Sequence, residues 1–264
     1  MNNLNKPRFI ISALLLITIT TVVFNNLEAS SMFFSSTQRA ISEYLGWFII
    51  LTANGFLIFS TYLLFTKYKN IKLGGMDAMP AYTYTNWIAM LFSAGLGIGL
   101  LFYGVAEPIG NLNDYPEMIK GDLSYNAGKA LSLTNLHWGL HGWAVYASLG
   151  LCFAFASYNK NKAFRVSSLL GKSVEDNKIL AATIDIIAIL TTVTGIATSL
   201  GLGATQINGG LDYVFDIILN EFIIIVFITL LGLISVCLGL DAGIKRLSQL
   251  NMFIAIVLLL TVLI

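Results

Sequence analysis

Apolar residues fall into long runs along this chain, near Phe9 to Phe24, Tyr44 to Phe65, Trp87 to Val105, Trp138 to Ala156, Ile179 to Leu202 and Phe222 to Leu240, with a seventh from Met252 to Ile264. A helix needs about twenty such residues to cross a hydrocarbon layer of roughly 30 Å. The pattern therefore predicts an all-α, polytopic membrane helix bundle. At about 1.5 Å per residue, the segment from Met252 would reach only about 20 Å, so the seventh helix is expected to be incomplete and the chain to look truncated.

The composition agrees with that solvent. Of 264 residues, 56% are hydrophobic and 11% charged, against about 25% charged in an average soluble domain. The charges between the runs set an orientation, because Lys and Arg are retained on the cytoplasmic side. Lys6, Arg8, Lys67, Lys69, Lys72, Lys160, Lys162, Arg165, Lys172, Lys178, Lys245 and Arg246 occupy one set of loops; the opposite set holds Arg39, Lys120 and Lys129. Twelve against three predicts a cytoplasmic N-terminus, and adding or losing one span would scramble the alternation. The net charge of +1 then carries no message about nucleic acid. The first run has the basic flank of a secretory signal, but its sixteen residues exceed the usual apolar core of about 7–15. Cys152 and Cys237 lie inside predicted spans, where packing is the expected role.

Three runs depart from a plain lipid-facing helix. The third contains Ser93-Ala94-Gly95-Leu96-Gly97-Ile98-Gly99. Gly95 and Gly99 form a G-x-x-x-G face that would let two helices approach closely. Gly97 points away from that face, and each glycine costs roughly 1 kcal/mol of helix propensity relative to Ala. Irregular backbone at membrane depth survives where it lines a cavity or is buried in protein, and broken helices supply substrate and ion ligands in transporters. We read the segment as a locally unwound binding stretch, with simple packing as the alternative.

The fourth run opens His137-Trp138-Gly139-Leu140-His141-Gly142-Trp143-Ala144-Val145-Tyr146. Trp138 suits the interfacial aromatic belt. Trp143 and Tyr146 lie deeper and share a helix face, and ring faces can hold a quaternary ammonium at about 0.5 to 2 kcal/mol per contact. His137 and His141 have the spacing of a zinc pair but lack the intervening Glu, and a third protein ligand is wanting. Hydrogen-bonded histidines are the expectation, and a metalloenzyme the weaker alternative.

In the fifth run Thr192, Gly195 and Ser199 fall on one stripe and Thr191, Thr194 and Thr198 on the next. Such hydroxyls usually bond back to their own helix or to a neighbour, yet they are also oxygen ligands for a hard cation. Asp185 is ionisable inside a span and so a functional candidate until its partner is known. A structural pair with Lys178, about two turns away near the cytoplasmic face, competes evenly with a role in coupling.

Taken together, Phe92 to Leu100 continuing to Tyr103-Gly104-Val105-Ala106-Glu107-Pro108, His137 to His141 with Trp143 and Tyr146, Ser199-Leu200-Gly201-Leu202-Gly203-Ala204, and Gly239-Leu240-Asp241-Ala242-Gly243-Ile244-Lys245-Arg246-Leu247-Ser248 resemble the betaine/choline/carnitine transporters. The resemblance runs from the first span to the last residue. It implies a leucine-transporter-like fold, with two extra helices (residues 1–72) followed by the first five-helix inverted repeat (residues 73–264), its last helix truncated. It implies an aromatic box on Trp138, Trp143 and Tyr146, faced by Gly95, Gly97 and Gly99. A sodium site would use backbone carbonyls near Ser93 and Leu96. Another would use Thr192, although Ile196 stands where a second hydroxyl is expected, which leaves the stoichiometry open; Ser199 is a further candidate.

Proton-coupled choline carriers tend to have Asp where Gly99 stands, which tilts the expectation to sodium. The expected function is a sodium-coupled importer of glycine betaine or choline in a bacterial cell membrane, with no cofactor and no enzymatic activity. Family members are typically homotrimers. The competing expectation is a non-transporting fragment or membrane interaction subunit.

Overall fold

The computed structural model describes residues 5–114 and 123–263. Ten α-helices are described: α1 Lys6–Asn25, α2 Leu27–Phe65, α3 Tyr84–Gly95, α4 Gly104–Asp114, α5 Leu123–Trp138, α6 Leu140–Ala154, α7 Lys172–Asp176, α8 Lys178–Phe215, α9 Glu221–Cys237 and α10 Lys245–Leu263. Among the described residues five helical stretches are long and apolar enough to cross a membrane, six when the bent pair around the glycine segment is counted as one span. α9, with 17 residues, sits at the lower limit for a span of about 17–25 residues. Among the described residues the seven apolar runs lie on helices, the fourth with a break at Gly139, and the chain is a multi-pass membrane protein.

Local chemistry explains several helix ends. Asn5 caps α1 by accepting the Arg8 N–H on its side chain, and Pro7 occupies the first turn, where its missing N–H costs nothing. Asn220 caps α9 through Phe222 N at 2.9 Å. α2 and α8, at 39 and 38 residues, would each extend nearly 60 Å at about 1.5 Å per residue. That is about twice a hydrocarbon layer, so both must leave it; Glu28, Arg39 and Glu43 mark the end of α2 that does.

The chain forms two compact units, one of residues 1–78 and 135–193, the other of residues 79–134 and 194–264. In the first, α2 packs along α6. Asn54 pairs with His141 and Ser60 with Ser148, so the two helices run in the same direction, as the alternation of loop charges requires. At their common end Asn159 donates to the Lys72 carbonyl at 2.9 Å and accepts the Gly74 N–H at 3.2 Å, tying the following loops together.

In the second unit α3 packs along α10. The Lys245 ammonium lies 5.7 Å from the Tyr82 ring, Gln249 donates to Asn86 at 2.6 Å, and Asn251 donates to the Ser93 carbonyl at 3.3 Å. This order again makes the helices parallel, as two spans of the same parity must be.

Small residues fill the interior. Buried positions include Ala89, Ala130, Ala144, Ala181, Ala204, Ser12, Ser148 and Ser248, while large apolar residues along α1, α2, α9 and α10 stay exposed. That is how helices associate in lipid, where burying an apolar chain gains nothing and close backbone approach gains dispersion contacts.

Candidate binding and coupling residues

The predicted aromatic site lies on α5 and α6, in the first unit. Trp143 and Tyr146 present ring planes at 89°, with centroids 6.0 Å apart. Two ring systems meeting at a right angle form a corner, and a corner offers an onium group more than one negative face. Trp138 ends α5 on the other side of a break. The sequence places one continuous run from Trp138 onward; the structure interrupts it at Gly139, whose φ of −85° and ψ of −146° are not helical. A side chain at Gly139 would overlap the carbonyl oxygen of Asn135, and one at Gly142 would come within 2.7 Å of that of His137. The glycines in the His137 to Gly142 motif therefore encode the break, which sets Trp138 on a different helix from Trp143 and Tyr146.

His141 approaches Asn54, Nε2 to Oδ1, at 3.3 Å, while Asn54 Nδ2 donates to the Ile50 carbonyl at 2.8 Å. A carbonyl can only accept, so the Asn54 oxygen faces the histidine, and His141 Nε2 is the donor. This contact fixes the rotation of α6 two residues before Trp143.

The glycine segment belongs to the second unit. α3 runs through Gly95 and then widens into a π-helix over Leu96–Tyr103. The helix axes of residues 84–93 and 97–113 meet at 64° across residues 94–96, where the π segment begins. The expected unwound stretch is thus a widened helix carrying Gly97 and Gly99. The physical reason is hydrogen-bond supply: a π turn re-pairs each carbonyl one residue further on, whereas bare backbone in hydrocarbon would cost several kcal/mol per group. Inside the same unit a Cβ at Gly203 would lie 3.4 Å from Ile98 Cδ1, and Ala204 beside it has no exposed surface. The Ser199 to Ala204 motif is where α8 accepts the π segment.

The cation candidates are placed as follows. Thr192 Oγ1 donates to the Ala188 carbonyl at 2.8 Å; as a hydroxyl donor it keeps its lone pairs. Ser199 lies exposed two turns further along α8. Ser93 Oγ contacts Ser248 Oγ at 2.9 Å, and the Ser93 carbonyl already accepts Asn251. Leu96 opens the π-helix. Ser93, Ser235, Ser248 and Asn251 line one cavity of about 530 Å³. Leu96 and Ser199 belong to this second unit, Thr192 to the first.

Asp185 differs from expectation. Its partner is Arg8, not Lys178; Ser167 adds its backbone N–H and its hydroxyl, each at 3.0 Å. Seven residues along a helix is about 10.5 Å, too far for Lys178 to neutralise a buried carboxylate. Neither Arg8, Ser167, Asn54 nor Asn251 stood out in the sequence. Arg8 was traceable as an opposite charge near the same end of another span. The rest are polar residues without a motif.

Widened and broken apolar helices, an aromatic corner and oxygen-rich helix contacts define a polytopic helical membrane protein. The family model described as BCCT, betaine/carnitine/choline family transporter, matches residues 7–264, and the chain belongs to this family. It is 42% identical over 234 residues to the glycine betaine transporter OpuD of Bacillus subtilis, covering 87% of this chain and 46% of that protein. A glycine betaine/proline/choline transporter of Vibrio parahaemolyticus is 37% identical over 275 residues, covering 96% and 49%. A glycine betaine transporter of Acinetobacter baylyi is 33% identical, covering 97% and 40%. The chain spans about half the length of the curated relatives it matches. These relatives are named as transporters.

Proposed function

We propose that this chain contributes the aromatic binding corner and the first cation ligands of a secondary transporter importing glycine betaine or choline, with sodium as the coupling ion. The Trp143–Tyr146 corner carries the reading, since ring faces hold a permanent cation without a buried carboxylate. Trp138 adds a third ring to the box from α5. In the second unit, Gly95, Gly97 and Gly99 leave room along their segment for the methyl groups or carboxylate of a solute. Thr192 supplies oxygen to one sodium site and the carbonyls of Ser93 and Leu96 to a separate one, with Ser199 a further ligand candidate. Residues 73–264 act as one repeat that rocks around the bound solute, preceded by two helices in residues 1–72. The protein works in the cell membrane with its N-terminus in the cytoplasm, as a homotrimer.

The names of the relatives support the solute class, and the charge alternation supports the orientation. The decisive measurement is uptake of labelled glycine betaine and choline by cells expressing the full reading frame that encodes this chain. Trp143→Ala should raise the KM about 2- to 30-fold, the loss of one cation–π contact of about 0.5 to 2 kcal/mol. Unchanged uptake and affinity would remove the aromatic corner from the mechanism. Potassium in place of sodium should abolish accumulation; equal uptake in both salts would exclude sodium coupling.

A further inference from the structure

Among the described residues, Asp185 is the buried charged residue, at 6% exposure, and the transport scheme above gives it no task. Its carboxylate is fully engaged: Ser167 N–H on Oδ1, Ser167 hydroxyl and the Arg8 guanidinium on Oδ2. Three elements therefore converge on one side chain, the first turn of α1, the short 3₁₀ turn Val166–Leu169 and the second turn of α8. The guanidinium is itself largely withdrawn, with 16% of its side chain exposed. Removing one partner of such a pair strands the other in a medium that cannot solvate it.

What lies above the pair gives it a direction. Thr192 follows Asp185 by seven residues and so returns to the same face of α8. Arg8, Asp185, Thr192, Phe9, Phe153 and Phe164 line one cavity of about 980 Å³. The ion pair, with Asn5 and Arg165, thus belongs to the polar lining of the cavity into whose wall the candidate cation ligand is set. α1 adds no ligand of its own, yet it holds that wall in place.

We propose that Arg8 and Asp185 are positioning residues for cation coupling: their ion pair, with Ser167, fixes the face of α8 that carries Thr192. The first helix, outside the repeat, is then part of the coupling machinery. This rests on the transport reading above.

The test uses the full reading frame. Arg8→Gln should raise the sodium concentration for half-maximal uptake by about 2- to 30-fold, with a smaller change in the solute KM at saturating sodium. Arg8→Lys should restore most of it. A second readout needs no transport: in a background with Cys152→Ser and Cys237→Ser, Thr192→Cys is labelled by a membrane-permeant maleimide, and Arg8→Gln should change the labelling rate within the same range. If Arg8→Gln accumulates poorly, the exchange Arg8→Asp with Asp185→Arg replaces it, and recovery of both accumulation and labelling rate supports the pair. Normal sodium dependence together with an unchanged labelling rate in Arg8→Gln, or an exchange variant no better folded than the single changes, overturns the proposal. An unmodified protein that takes up no solute defeats the transport reading by itself, while the labelling rates still decide the role of the pair.

Discussion

The oxygen of Thr192 already serves its own helix through Ala188, so its proposed role in coupling has a sharp signature. Thr192→Ser keeps the hydroxyl and should leave the sodium dependence of uptake unchanged, whereas Thr192→Val should raise the half-saturating sodium concentration about tenfold, a difference of about 1.4 kcal/mol of the size a good oxygen contact supplies. Uptake kinetics at varied sodium decide it; a valine variant with normal dependence removes Thr192 from the ion site. The internal bond of Thr192 was readable from sequence, because Ser and Thr in membrane helices have few other partners. The partner of Asp185 was not, because it lies 177 positions away and nothing local to either residue encodes their meeting.

Glycines give the residue scale a second test. Gly239 has a φ of 80°, a left-handed conformation that side chains rarely adopt. It starts the π segment Leu240–Ile244, in which a Cβ at Gly243 would overlap the carbonyl of Ser235. Gly243→Ala should therefore destabilise by about 1–3 kcal/mol through backbone displacement. Gly232→Ala, in the middle of α9 with open space around it, should instead gain up to about 1 kcal/mol of helix propensity. Melting temperatures in detergent compare the two, and equal shifts would contradict the packing described.

For whole elements, hydropathy located the helices well, since a run of apolar residues is what the bilayer selects. Two features escaped it. α5 carries buried Asn126 and Thr134 and takes Asn111 Nδ2 onto Thr134 Oγ1 at 3.0 Å; it is a polar helix, invisible to a search for apolar runs. The π segment is invisible for a different reason: moving the hydrogen-bond partner by one residue leaves the composition untouched.

Between α2 and α6 the register is set by two polar pairs rather than by bulky knobs. A double-mutant cycle on Asn54→Ala and His141→Ala should give a coupling of about 0.5–1.5 kcal/mol, the net worth of one hydrogen bond. Additive losses would mean that His141 does not hold the rotation of α6.

For the molecule as a whole, the side alternation legible in twelve basic residues against three is repeated by independent geometry inside each unit: the ends of α2 and α6 meet through Asn159, and the starts of α3 and α10 through Asn86 and Gln249. Single cysteines at Asn161 and Ile218, in loops of opposite parity, should therefore react with an impermeant thiol reagent from opposite sides of the membrane. Labelling of intact and opened cells reads this directly, and reactivity from the same side would break the span order. The aromatic corner and glycine segment were legible as motifs because both spend residues that a lipid-facing helix has no use for.

The preference for alanine and serine at helix contacts has an evolutionary corollary. In water-soluble proteins the outer surface drifts freely and the heart is guarded for bulk; here the large outward-facing side chains are interchangeable oils, and drift should concentrate there. The guarded positions are the tiny ones, such as Ala204 and Ser148. At these a single added methylene is a wedge, and the damage from a substitution should scale with the volume added, not the volume lost.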